Sequence, residues 1–171
     1  MKKFGFRKLK EFDNHKLVIR IEDKDAGLRG FIAIYNDNLG LPAVGGTRMF
    51  PYKSEKDALR DALKLSRAMT YKCAMARVPY GGAKGVIIGD PKKDKTEKLL
   101  KAYAQKINSL KGKFYTGEDV GMTQEDINIM MKVSNYFNGK PELAGDPSPW
   151  AALSTFYSIQ SAVFFVYKKG F

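Results

Sequence analysis

The run Gly85-Val86-Ile87-Ile88 is short, continuous and apolar, the pattern of a strand covered on both of its faces. A chain that contains such a strand must supply a layer for each side of a sheet. Residues 16–22 alternate Leu17, Ile19 and Ile21 with polar or smaller residues and read as a half-buried strand. Residues 28–35 read as a second, more apolar strand. Asn36-Asp37-Asn38 begins a loop running through Gly40, Pro42 and Gly45-Gly46. A long helix starts near Ser54, with Asp57 completing an imperfect capping box. Ala58, Ala62, Leu65, Met69, Lys72 and Ala76 fall on one face of it, widened by Leu59, Leu63 and Cys73. Lys56, Arg60, Asp61, Lys64 and Arg67 take the other side. A helix capped within residues 94–97 turns Leu99, Leu100, Tyr103, Ile107 and Leu110 inward. Phe114-Tyr115-Thr116 is a short strand, Thr123 to Asp126 opens a helix through Met131, and Ser148-Pro149 starts the last one. Strand and helix signals alternate after residue 50, which predicts a three-layer α/β/α domain. Its sheet is expected to be mainly parallel, with the opening strands added antiparallel at an edge.

Length and charge narrow the function classes. A chain of 171 residues fits one domain with part of a second. Net charge is +12, which favours acidic partners, but the basic residues are dispersed and read as a lysine-rich solvated surface. Nucleic acid is therefore not an expected partner; binding it would require a steep salt dependence. The single cysteine, Cys73, cannot pair internally, which fits a reducing, cytoplasmic setting. The single histidine, His15, argues against a His-based metal site or triad, so no metal is expected. The start, Met1-Lys2-Lys3-Phe4-Gly5-Phe6, lacks the apolar stretch of a secretory signal and reads as a frayed or edge-packed terminus. Residues 150–167 carry no charge, yet Ser154, Thr155, Ser158, Gln160 and Ser161 interrupt them. They read as a buried or interdomain helix rather than a membrane span.

Two lysines sit among small or apolar residues, in Met69-Thr70-Tyr71-Lys72-Cys73-Ala74 and Tyr80-Gly81-Gly82-Ala83-Lys84-Gly85. Lys72 can be a helix-end lysine with its head in water, or a cation held in a cleft for an anionic group. Lys84 can be a strand-edge lysine with its head in water. Partly desolvated beside another cation, it would instead have a lowered pKa and could serve as a general base. A phosphate loop is rejected, because Ala83 takes the glycine position before the lysine and no Ser or Thr follows it. Asp119 can be a turn residue or a helix cap; it also stands at a strand end, where ligands of open α/β sheets gather. Gly45-Gly46-Thr47-Arg48 can be a plain turn, or free backbone N–H groups that grip a carboxylate.

Together, these segments resemble the glutamate/leucine/phenylalanine/valine dehydrogenase family, most closely its leucine dehydrogenases. The resemblance rests on Gly45-Gly46-Thr47-Arg48-Met49, Met69 to Ala74, Gly81-Gly82-Ala83-Lys84-Gly85, Gly89-Asp90-Pro91, residues 116–121 and residues 145–149, in the family's order. It implies that Lys72 binds the substrate α-carboxylate with the Gly45-Gly46 backbone. Lys84 would act on the water that attacks the imine, and Asp119 would handle protons on the amino group. Apolar Val44, with small Gly117 nearby, then favours leucine or valine, and next phenylalanine, over glutamate. NAD is implied for the complete enzyme, with none bound by this chain alone. Residues 1–147 would form the substrate-binding and oligomerisation domain. Residues 148–171 would form a helix leading to a dinucleotide-binding domain absent here, since no Gly-x-Gly-x-x-Gly follows a strand. Ala151 stands where the family usually has threonine, and the 138–145 loop is short beside leucine dehydrogenases. A homo-oligomer is implied, and a separate Rossmann-domain chain is a further expected partner. The alternative is a non-catalytic oligomerisation or regulatory subunit.

Overall fold

A computed structural model describes residues 5–36, 42–139 and 148–168. They fall into two compact units that divide between Asn138 and Gly139. The first unit holds strands β1 (Leu17–Asp23), β2 (Leu28–Asn36) and β3 (Ala43–Phe50), helix α1 (Glu55–Met75) and strand β4 (Gly81–Ile88). Helix α2 (Glu97–Ser109), strand β5 (Phe114–Gly117) and helix α3 (Gln124–Met131) complete it. The second holds helix α4 (Ser148–Tyr167). No helix among the described residues is long and apolar enough to cross a membrane.

The strands lie in the order β1-β2-β4-β3-β5. β1 pairs antiparallel with β2, and β2 with β4, while β3 lies parallel to both β4 and β5. From β3 to β4 the chain moves one way across the sheet, and from β4 to β5 it moves back. Right-handed crossovers then place α1 and α2 on opposite faces. The two cores show this. On one face Phe31, Ala33 and Val86 pack with Ala58, Leu59, Ala62 and Leu63 of α1. On the other, Ile32, Ile34, Met49, Ala83 and Ile87 pack with Leu99, Tyr103 and Ile107 of α2 and Ile127 and Met130 of α3. Leu59 and Leu63 are fully buried, each worth about 1.5–3 kcal/mol.

The helix starts are those read from the sequence. Ser54 accepts from the Asp57 N–H, Thr96 from the Leu99 N–H, and Thr123 forms a full capping box with Asp126. The N-terminal Lys/Phe segment is edge-packed where it is described: Phe6, Leu9 and Phe12 rest on the α1-side core.

One element departs from expectation. Residues 43–50 form a strand, not the tail of a loop. Glycine is a poor strand former because it brings no side chain to pack. Here the backbone pairs on both sides, Val44 opposite Gly82 and Tyr115, and Gly46 opposite Gly117. The expected loop at 37–41, the start at 1–4 and the turn-rich stretch at 140–147, with Gly145-Asp146-Pro147, lie outside the described residues.

Candidate functional site

Lys84 is the fourth residue of β4, inside the strand rather than ahead of it. Alternation along a strand puts it on the same face as Val86, toward α1. Arg48 of β3 is paired with Val86, so it shares that face. Lys84 is only 4% exposed. A buried ammonium costs several kcal/mol unless a counter-charge meets it. Asp119, two residues beyond β5, supplies one, with its Oδ1 3.1 Å from Lys84 Nζ. The other oxygen, Oδ2, accepts from Arg48 Nε at 2.7 Å. Arg48 in turn donates to Asp61 Oδ2 of α1 at 2.9 Å, and the Tyr52 hydroxyl donates to that same oxygen.

Burial is the largest influence on Lys84 and lowers its pKa. Asp119 opposes this, Arg48 adds to it, and the net direction is down. Burial alone would raise the Asp119 carboxyl, but the Lys84 charge and the Arg48 hydrogen bond outweigh it, so the carboxyl stays below its ordinary range. Burial works against the Arg48 cation, yet its bond to Asp119 holds its pKa above the usual arginine value. Burial and the bond to Asp61 both push the Tyr52 phenol up, keeping it a donor. An ionised carboxylate therefore stands beside an amine that gives up its proton more readily than an ordinary lysine. That pairing suits proton transfer.

The backbone fixes Asp119. A side chain at Gly46 would come within 2.6 Å of the Glu118 carbonyl and 2.9 Å of Asp119 Cβ, so the aspartate needs glycine opposite it. The Met49 N–H donates to the Val120 carbonyl at 2.9 Å, and the Met122 N–H to the Asp119 carbonyl at 3.0 Å. Gly121 closes the turn at φ +80°, and Lys95 Nζ donates to its carbonyl at 3.0 Å. Thr47 Oγ1 lies 2.7 Å from both the Tyr103 hydroxyl and Thr116 Oγ1, a buried contact that ties β3 to α2 and β5.

Of the residues read as substrate-binding, Val44, Gly45, Gly46 and Gly117 lie together, half-buried, where β3 meets β5. Lys72 is exposed in the last turn of α1, beyond the buried stripe, which ends near Ser66 apart from Cys73. Met69 and Thr70, just before it, pack against Gly45 and Gly82. Arg48, Asp61 and Tyr52 were not read as site residues. A turn gives Arg48 no face, and helical periodicity puts Asp61 on the solvated side of α1, so the sequence carries no signal for either.

The chain offers no fitting cradle for a dinucleotide at β4. Gly81, Gly82 and Gly85 are spent inside the strand. The turn that leads from it toward α2 carries Asp90 and Asp94, and its amides serve those carboxylates: Asp90 N–H to Asp94 Oδ2 at 2.7 Å and Lys92 N–H to Asp90 Oδ1 at 2.9 Å. Two acidic groups repel a diphosphate.

Residues 14–136 match the family model described as Glu/Leu/Phe/Val dehydrogenase, dimerisation domain. A phenylalanine dehydrogenase of Lysinibacillus sphaericus is 46% identical over 151 residues, 86% of this chain and 39% of that protein. A leucine dehydrogenase of Geobacillus stearothermophilus is 44% identical over 160 residues, 92% of this chain and 43% of that protein. The crystal structure of L-tryptophan dehydrogenase from Nostoc punctiforme superposes with a TM-score of 0.72 at 39% identity, over 92% of this chain and 44% of that one. The chain thus spans less than half the length of the relatives it matches.

Proposed function

The chain belongs to the Glu/Leu/Phe/Val dehydrogenase family, and from that membership we propose that it is the substrate-binding half of an NAD-dependent amino-acid dehydrogenase. The reaction is the oxidative deamination of an apolar L-amino acid to its 2-oxo acid and ammonium. The observation that carries this reading is the pairing of buried Lys84 with half-buried Asp119 beside the Gly45-Gly46 backbone. Lys84, as the neutral amine, takes a proton from the water that attacks the imine carbon. Asp119, as the carboxylate, exchanges protons with the departing nitrogen. The Gly45-Gly46 amides and Lys72 bind the α-carboxylate. NAD supplies the hydride acceptor and is held by a separate domain, a reading supported by the acidic turn after β4, whose Asp90 and Asp94 do not suit a diphosphate. Half-buried Val44, with Gly117 across the ladder, leaves an apolar, uncharged wall that suits leucine or valine, with phenylalanine next. The relatives named for phenylalanine, leucine and tryptophan are consistent with an apolar side chain.

Reconstitution tests this. The 171-residue chain is mixed with the separately produced dinucleotide-binding domain of a leucine dehydrogenase, and NADH is followed with leucine, valine and phenylalanine. Leucine- or valine-dependent NADH, abolished by Lys84→Ala, is expected. No amino-acid-dependent NADH at high concentrations of both parts overturns the reading. The family's description as a dimerisation domain favours a second reading, a non-catalytic assembly subunit. Co-purification with a full-length relative, without turnover, would select it.

A further inference from the structure

The catalytic carboxylate does not face its lysine unaided. We infer that Arg48, gripped by Asp61 and Tyr52, is a positioning residue that commits one oxygen of Asp119 to itself and so aims the other at Lys84. The inference rests on the reading of Lys84 and Asp119 as the catalytic pair. Four elements converge to build the grip: Arg48 from β3, Tyr52 from the β3–α1 connection, Asp61 from α1 and Asp119 from the turn after β5. Arg48 uses two edges of its guanidinium, Nε toward Asp119 Oδ2 at 2.7 Å and a terminal nitrogen toward Asp61 at 2.9 Å. A planar fork holds two carboxylates at a fixed angle, which a lysine ammonium cannot do. Tyr52 adds a second donor to Asp61 Oδ2, so Asp61 cannot swing away without breaking two bonds.

The arrangement also settles the charge. Asp119 keeps a cationic partner at all times, so Lys84 can lose its proton without leaving the carboxylate unpaired. Arg48, standing close, favours that loss. A simple ion pair between Lys84 and Asp119 would do the reverse and hold the proton on the amine.

The test is the pH dependence of Lys84 reductive methylation, mapped by mass spectrometry, together with the carboxyl titration of Asp119 by carbon NMR. Both use the 171-residue chain. Arg48→Met is expected to move the Lys84 profile to higher pH, with about a tenfold fall in labelling near neutrality, and to raise the Asp119 titration. Tyr52→Phe, a milder change, moves both in the same direction by less. Arg48→Lys restores a charge but not the fork, and gives an intermediate profile. Wild-type profiles in folded Tyr52→Phe or Arg48→Lys overturn the inference, since charge alone would then suffice. A merely structural Arg48 would lower the melting temperature and leave both titrations in place, which equally overturns it. The readouts need neither cofactor nor turnover. A silent reconstitution therefore overturns the proposed function alone, and unchanged titrations overturn this inference alone.

Discussion

Removing Lys84 and removing Asp119 are not equivalent changes. Lys84→Met replaces a buried ammonium by an apolar chain of similar length and leaves Asp119 bonded to Arg48. Thermal denaturation at neutral pH is expected to show an unchanged or raised midpoint, because a well-packed apolar group often matches a buried ion. Asp119→Ala leaves Lys84, 4% exposed, without the carboxylate that meets it, beside an Arg48 that keeps only Asp61. That variant is expected to lose about 3 kcal/mol. Equal losses in the two variants would mean that the pair is a stabilising bridge rather than a site maintained at a cost. Lys84 and Asp119 were legible in the sequence because each breaks a local rule, a lysine inside an apolar stretch and an acid between glycines at a strand end. Arg48, Asp61 and Tyr52 break none. An arginine in a turn and an aspartate on a polar helix face are ordinary until the arginine's segment is recognised as a strand.

The elements around the site differ in how firmly the sequence announced them. Ser54, Thr96 and Thr123 are good caps at the heads of apolar stripes, and the helices begin there. β3 was hidden, since Gly45 and Gly46 gave no alternation to read and the strand owes its existence to neighbours on both sides. The segment between β5 and α3 is held close against β3. A side chain at Gly121 would meet the Met49 carbonyl at 2.1 Å, on a residue already at φ +80°. Gly121→Ala is therefore expected to destabilise by at least about 2 kcal/mol in urea titration, far above the few tenths of an exposed loop substitution. It should also weaken the Met49–Val120 hydrogen bond that fixes the register of Asp119. A midpoint indistinguishable from wild type would show that the turn can relax, and that Asp119 is held by its side chain alone.

At the scale of the molecule the chain has two separately compact units, and the family match ends at residue 136, inside the first. A fragment ending at Asn138 is expected to unfold in one cooperative transition, with a midpoint within about 4 °C of the intact chain. A broad or markedly lowered transition would show that the first unit does not fold on its own. Within the first unit the site is assembled from distant parts: Arg48 and Asp119 are 71 residues apart in sequence. Contacts of that span repay their loop-closure entropy only after the strands between them have docked. During synthesis, a nascent chain that has emerged only as far as β4 carries Lys84 without its carboxylate, which is made later. Once α1 packs over β4, burial lowers the amine's proton affinity, and the docking of β5 brings Asp119 to raise it again in part, so the reactivity of Lys84 reports the order in which the sheet closes.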